Sequence, residues 1–192
     1  MEIVKIKAHP KEGSGKEAAK KVRRAGQVPA VMYKSGGTGE PMHFSIEIGD
    51  YRSLVYTSKF KLAEVEVDGK THKCILKDIQ FHPVTDAVIH VDFLELAPGV
   101  KFKATVPVVF TGTAPGVKNG GKFLPKLRGV RILTTPEYVV DHVEADISTM
   151  ELGSTIRVRD INKTNGVDII NNGAVPIASI EIPRALRQQQ GK

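Results

Sequence analysis

The sequence of 192 residues has no tryptophan, a single cysteine and only 6% aromatic residues. One cysteine allows neither an intrachain disulfide nor a zinc site built from several thiolates, which fits a reducing compartment. Long apolar runs are also missing, since the start lacks the core of a signal peptide and no segment reaches the length of a membrane span. We therefore expect a cytoplasmic protein with no membrane-spanning segment, whose core relies on Val, Ile, Leu and Ala.

What the sequence has is a basic balance and a β-rich pattern. It is 41% hydrophobic and 26% charged, as in folded proteins, with a formal net charge of +7. The excess of Lys and Arg makes an anionic partner plausible, and RNA, DNA and an acidic membrane surface all remain open on charge alone. Glycine and proline recur between short β-branched runs, which predicts a mainly β protein.

The first half has the pattern of a small β-rich domain over residues 1–96. Apolar and polar residues alternate in short runs, as in strands with one buried face. Asp68 and Gly69 separate two such runs, and this pair suits the type I′ turn of a β-hairpin. The pattern predicts strands over residues 2–8, 28–33 and 42–48, two strands within 61–80, and a sixth within 80–96.

Two helices are predicted in the same half. Residues 14–26 combine the capping-box pair Ser14 and Glu17 with Gly26, which can end a helix in the left-handed conformation. A second helix is predicted near residues 49–60, with Asp50 as its cap.

The second half predicts a separate domain. An Ala-Pro-Gly break at residues 97–99 precedes short runs of Val, Ile and Thr that are separated by turns, without a convincing amphipathic helix. We expect a β-rich domain over residues 100–183. Residues 184–192 lack core side chains, so we expect a flexible tail there.

Cations gather at the start of the chain, whose first 34 residues carry nine Lys or Arg against three Glu. On a helix that turns about 100° per residue, Lys16, Lys20, Arg23 and Arg24 fall within roughly one quadrant, with Lys21 beside it. Such a stripe is either a solvated helix face or a surface for a phosphate backbone, and the mutual repulsion of the cations favours the second. The glycines before the helix do not form a nucleotide-binding phosphate loop, because that loop needs Ser or Thr after Lys16.

Two histidines and two aspartates lie within eleven positions of the segment "QFHPVTDAVIHVDFLEL", residues 80–96. A metal site needs three or four converging ligands, and this spacing dictates only two. No nucleophile motif accompanies them, so catalysis is the least favoured function. The first histidine and aspartate flank Pro83 and are predicted to lie on a loop. The four residues are His82, Asp86, His90 and Asp92.

Alternate residues of a strand share one face, so His90 and Asp92 are predicted to lie together on the outside of a sheet. Two roles stay open for them: a histidine held by a carboxylate on a solvated surface, or recognition of RNA through stacking and hydrogen bonds. Tyr33 ends the strand after the basic helix, where its ring could pack in the core or stack on a nucleotide. Val88 and Leu94 are predicted to flank the pair, and the core side of the strand to hold Ile89, Val91 and Phe93.

The segments "GSGKEAAKKVRRAGQVPAVMY" and "KDIQFHPVTDAVIHVDFLEL", in this order and at this separation, resemble the bacterial 5S ribosomal RNA-binding proteins of the large subunit, the twenty-fifth in their naming series. The β-rich second half resembles their long two-domain form, often called the Ctc or general stress form. The resemblance implies an N-terminal six-stranded β-barrel with short helices, similar to the anticodon-binding barrels of glutaminyl-tRNA synthetase, followed by a second β-rich domain. It also implies a structural constituent of the ribosome, without enzyme activity, cofactor or small-molecule substrate. Its partners would be 5S rRNA, which the barrel would bind at the irregular helical region around loop E of the RNA, and the neighbouring rRNA and ribosomal proteins.

By position, the resemblance assigns RNA contacts to eight residues. The cations would bind phosphates, Tyr33 and His90 would pack against the RNA minor groove, and Asp92 would form hydrogen bonds. Family members often have arginine at three positions where this sequence has lysine, namely Lys11, Lys20 and Lys21. Lysine keeps the charge but lacks the bidentate fork of the guanidinium. A free RNA-binding stress factor and a metal-dependent enzyme are the alternatives. The implied contact residues are Lys11, Lys16, Lys20, Lys21, Arg23, Tyr33, His90 and Asp92.

Overall fold

Two β-rich units make up the described part of the chain. The first runs to Phe102 and includes Thr135–Glu137, and the second holds Lys103–Thr134 and the described residues from Tyr138 onward. The expected class, a mainly β protein with a six-stranded barrel and a second β-rich domain, is confirmed. No described helix is long and apolar enough to cross a membrane. The computed structural model describes residues 2–10, 13, 15–37, 39–57, 59–162 and 164–183.

The first unit is a closed barrel of six strands with two helices. Its elements are β1 (Ile3–Pro10), α1 (Lys16–Arg24), β2 (Gln27–Lys34), β3 (Met42–Glu47), α2 (Ile48–Val55), β4 (Leu62–Val67), β5 (Lys70–Phe81) and β6 (Val88–Glu95). The strand order around the barrel is β1-β3-β2-β6-β5-β4. β1 pairs with β4 and β2 pairs with β6 in parallel, and the other neighbours are antiparallel. Closure leaves this sheet without a free edge.

The barrel interior is filled by alternate strand residues, as the sequence pattern predicted. Phe44 and Phe93 are fully buried, and their rings stack with centroids 6.0 Å apart. Ile6 is buried while its neighbours on β1 are exposed. Cys74 also lies inside, where burial raises the pKa of its thiol to about 12. The single cysteine is therefore a small core residue that stays protonated at neutral pH.

Two local predictions from turn chemistry are confirmed. Asp68 and Gly69 have φ values of 49° and 75°, as the type I′ turn between β4 and β5 requires. Gly26 has a φ of 78° just beyond α1, the left-handed conformation that ends a helix. The predicted cap Ser14 and the predicted tail 184–192 lie outside the described residues.

The predicted cap of α2 is wrong. β3 runs directly into α2 without a linker, so the helix begins at Ile48 and its N-cap position is Glu47 rather than Asp50. Asp50 lies inside the first helical turn, where its Oδ2 accepts a hydrogen bond from the backbone N–H of Lys7 at 3.3 Å. Its carboxylate therefore fastens α2 to β1.

A β-bulge at the start of β6 also overturns a prediction. The pairing of β5 with β6 shifts between Gln80 and Phe81, which leaves Ile89 as an extra residue. Alternation restarts after a bulge. Val88 is therefore in the core at 6% exposure and Ile89 is only half-buried, the reverse of the predicted faces. The two other predicted core residues, Val91 and Phe93, are both buried.

From β7 onward the chain forms two smaller sheets. The elements are β7 (Phe102–Thr111), α3 (Pro115–Lys118), β8 (Lys122–Pro125), β9 (Gly129–Thr134), β10 (Val143–Asp146), β11 (Thr155–Arg157), β12 (Val167–Ile169) and β13 (Pro176–Glu181). One sheet has the order β10-β7-β9-β12, and the other has the order β11-β13-β8. α3 is a single turn of four residues, so strands dominate this unit. Its fully buried side chains include Val106, Ile132, Ile177 and Ile180.

Phe93→Ala is expected to destabilise the barrel by about 3–5 kcal/mol, because it leaves a cavity beside Phe44. Urea unfolding followed by circular dichroism measures this free energy. The matched control is Phe81→Ala, since Phe81 is 44% exposed at the end of β5. Equal destabilisation by the two substitutions would contradict the assignment of Phe93 to the core.

Candidate nucleic-acid interface

Helix α1 packs against the outer face of β2. Val31 is only 3% exposed, although its side chain is not among those that fill the barrel interior. Pro29, on the same outer face of β2, is also buried. The helix side that suits this contact is made of small side chains, Ala18, Ala19 and Val22, all half-buried. Small side chains allow the helix backbone to lie close to the sheet while its cationic side remains in solvent.

The predicted cationic stripe is on the surface. All five cations of α1 are exposed, and none forms an ion pair with a described residue. Glu17 is the only acidic residue in the helix. Five cations against this one acid leave α1 with a net charge of +4, and none of the five cations is ion-paired to another described residue. The five are Lys16, Lys20, Lys21, Arg23 and Arg24.

His90 and Asp92 share the outer face of β6, as predicted, and their side chains contact each other. Nδ1 of His90 lies 2.7 Å from Oδ1 of Asp92. An ionised carboxylate only accepts hydrogen bonds, so Nδ1 donates and Nε2 stays available to a further partner. The two side chains are 29% and 25% exposed, which leaves both within reach of a ligand.

Tyr33 lies on β2, beside this pair. The parallel register places Val31 next to Asp92 and Tyr33 next to Leu94. Tyr33 is 37% exposed, so the alternative of core packing is wrong. Nζ of Lys77 lies 5.4 Å from the centroid of its ring, a cation–π contact. The sequence did not single out Lys77, which comes close to Tyr33 only because β2, β6 and β5 are neighbours.

The face of β5 next to His90 and Asp92 is also polar. Gln80 is paired with His90, and Asp78 is paired with Asp92. Residues directly opposite each other in antiparallel strands share a face, so two carboxylates approach there. Asp78 is partly satisfied by the backbone N–H of Ile79, which donates to its Oδ1 at 2.9 Å. The surface thus combines cations with a patch of hydrogen-bond acceptors.

His82 and Asp86 lie in the turn before β6, as predicted, where the backbone N–H of Asp86 donates to the carbonyl of His82 at 3.0 Å. The N–H groups of Val84 and Thr85 both donate to Nδ1 of His82, each at 3.3 Å. That nitrogen is therefore the shared acceptor of two backbone bonds in this turn. Among the described residues, no group of three or more His, Cys, Asp or Glu side chains is arranged to hold a metal ion.

Arg23 makes a contact that the sequence did not indicate. Its Nε–H donates to the backbone carbonyl of Ile89 at 3.1 Å, which joins α1 to β6. Seven of the eight predicted contact residues are described, and they lie on three adjoining elements, α1, β2 and β6. The eighth, Lys11, lies outside the described residues.

His82→Ala is expected to loosen the turn, because two backbone N–H groups lose their shared acceptor. Hydrogen exchange at Val84 and Thr85 should accelerate, with a loss of stability of about 0.5–1.5 kcal/mol. His82→Asn is the matched control, since its side-chain oxygen can accept the same bonds. Unchanged exchange in His82→Ala, measured by NMR, would contradict a structural role for this imidazole.

Two family models match the sequence, the Ribosomal L25p family over residues 6–93 and the C-terminal domain of ribosomal protein TL5 over residues 101–184. The large ribosomal subunit protein bL25 of Cytophaga hutchinsonii is 35% identical over 190 residues, which cover 99% of this chain and 97% of that protein. The bL25 protein of Porphyromonas gingivalis is 36% identical over 97% of this chain and 96% of its own length. That of Rhodopseudomonas palustris is 35% identical over 98% of this chain and 81% of its own length.

Proposed function

The chain belongs to the ribosomal L25p family, and from this premise we propose that it binds 5S rRNA through its N-terminal domain. As a member of this family it is a structural constituent of the large ribosomal subunit in the cytoplasm, and not an enzyme. The proposed RNA-binding domain is residues 1–96. For the second domain, residues 100–183, we propose contacts with neighbouring rRNA and ribosomal proteins.

The joined outer surface of α1, β2 and β6 is the observation that carries this proposal. Lys16, Lys20 and Lys21 are exposed and have no described acidic partner, so an RNA backbone would offset their repulsion and release counterions. We propose phosphate contacts for these lysines, for Arg23, and for Lys11. Few other ligands would need a dense row of cations beside a half-exposed tyrosine ring.

The polar part of this surface suits RNA better than DNA. A-form RNA has a wide, shallow minor groove that displays 2′-hydroxyl groups, which can donate hydrogen bonds. With its Nδ1–H held by Asp92, a neutral His90 offers Nε2 as an acceptor, and the second oxygen of Asp92 offers another. The ring of Tyr33 provides a flat surface that can pack against a sugar or a base. We therefore propose that these three residues contact the minor groove of 5S rRNA.

Binding to 5S rRNA is expected to be tighter than binding to an unrelated structured RNA of similar length. A titration at several salt concentrations measures both the preference and the number of phosphate contacts. Several lysine–phosphate contacts predict a log–log salt slope of several units. Equal affinity for the two RNAs at every salt concentration would contradict specific recognition of 5S rRNA.

His90→Ala and Asp92→Ala are each expected to weaken RNA binding by about 1–3 kcal/mol, because each removes a hydrogen-bonding partner. Both side chains lie on the surface, so the melting temperature should hardly change. Glu66→Ala is the control, since it removes an exposed acid from β4, which does not adjoin β6. If Asp92→Ala unfolds the domain without a separate binding defect, the recognition role is wrong.

A further inference from the structure

Helix α1 is weakly anchored for an element that must place several cations. It spans nine residues, buries none of them fully, and starts after Gly15 without a side-chain cap. Helices this short are marginal on their own, and neighbouring cations destabilise them further. The packing of small side chains on β2 holds the helix near the sheet but leaves its exact position along β6 unspecified. Some other contact must set the distance between its cations and His90.

The hydrogen bond from Arg23 to Ile89 is such a contact. Among the described residues it is the only side-chain hydrogen bond between α1 and the barrel, with Nε 3.1 Å from the carbonyl oxygen. Ile89 is the extra residue of the bulge in β6, so the regular ladder is interrupted at this point. The side chain of Arg23 therefore reaches the backbone of β6 at the residue where the pairing with β5 is interrupted.

The position of this bond matters for recognition. Ile89 directly precedes His90, whose imidazole is in turn held by Asp92. One hydrogen bond therefore joins the helix that carries the cations to the strand that carries the histidine–aspartate pair. The register between the two parts of the surface is fixed within one residue of His90.

Arginine is suited to this position in a way that lysine is not. The guanidinium has five N–H donors, and the bond to Ile89 uses only the one on Nε. The four donors on the two terminal nitrogens remain for a phosphate. A lysine carries its donors on a single nitrogen at the end of a flexible stem, so it cannot reproduce both fixed contacts.

We propose that Arg23 is a positioning residue, whose bond to the bulge of β6 fixes the cations of α1 relative to His90 and Asp92 before RNA arrives. This inference rests on the proposed binding of 5S rRNA, and it adds that different nitrogens of the Arg23 guanidinium have different roles. The Nε–H orders the protein, and the terminal nitrogens face the ligand. The conformational entropy of α1 is then lost when the protein folds, and not when RNA binds, which favours tighter binding.

The test compares Arg23→Lys with Arg24→Lys in the full chain. Both substitutions keep the charge, but Arg24 makes no hydrogen bond or ion pair with a described residue, so it is the matched control. Arg23→Lys should weaken binding to 5S rRNA roughly threefold to tenfold, the effect of one lost hydrogen bond, with an unchanged salt slope. Arg24→Lys should bind like the unchanged protein. In the RNA-free protein, amide exchange of α1 should accelerate in Arg23→Lys alone.

Two results would overturn the positioning role. One is equal RNA affinity and equal α1 exchange in the two variants. The other is a salt slope lower by about one phosphate contact in Arg23→Lys without faster α1 exchange, since Arg23 would then act on phosphate alone. Failure of the unchanged protein to prefer 5S rRNA would instead reject the proposed function, and the exchange of α1 would still decide whether Arg23 positions the helix.

Discussion

The parallel pairing of β2 with β6 is the interaction on which the candidate RNA surface depends. It brings the strand that follows the basic helix next to the strand that carries His90 and Asp92, although the two are far apart in the chain. The helix is held near this pairing, because it connects β1 to β2 and packs against β2. The cations, the aromatic ring and the acceptors thus converge because backbone hydrogen bonds between the strands bring their elements together.

Irregularities in β5 and β6 refine this arrangement. The pairing shifts once between Leu76 and Asp78 and again near Ile89. At the first shift Lys77 approaches the ring of Tyr33, and at the second the carbonyl of Ile89 meets Arg23. Bulges often redirect side chains and backbone groups near functional sites. Both contacts involve residues of the proposed interface. The two irregularities in pairing therefore position groups on the outer face of the barrel.

Much of the barrel follows from its sequence because the signals are local. Strand alternation, the Asp68-Gly69 turn and the glycine after α1 each depend on a few adjacent residues, as does the common face of His90 and Asp92. The bulge at Ile89 has no such signal, since an extra residue is recognised only by its pairing with β5. The contacts of Arg23 and Lys77 depend on strand order, which short motifs do not encode. In the second unit the strand content was predictable for the same local reason, whereas the two sheet orders were not.

The burial of Cys74 has a practical consequence for experiments on this protein. Its thiol is enclosed by the barrel and stays protonated at neutral pH, with a pKa raised to about 12. Electrophilic reagents that react with thiolates will therefore modify the folded native protein only slowly. A cysteine placed on the surface would be labelled selectively without removal of the native one. Fluorescent or spin labels could then be attached at a single chosen point in an otherwise unaltered sequence.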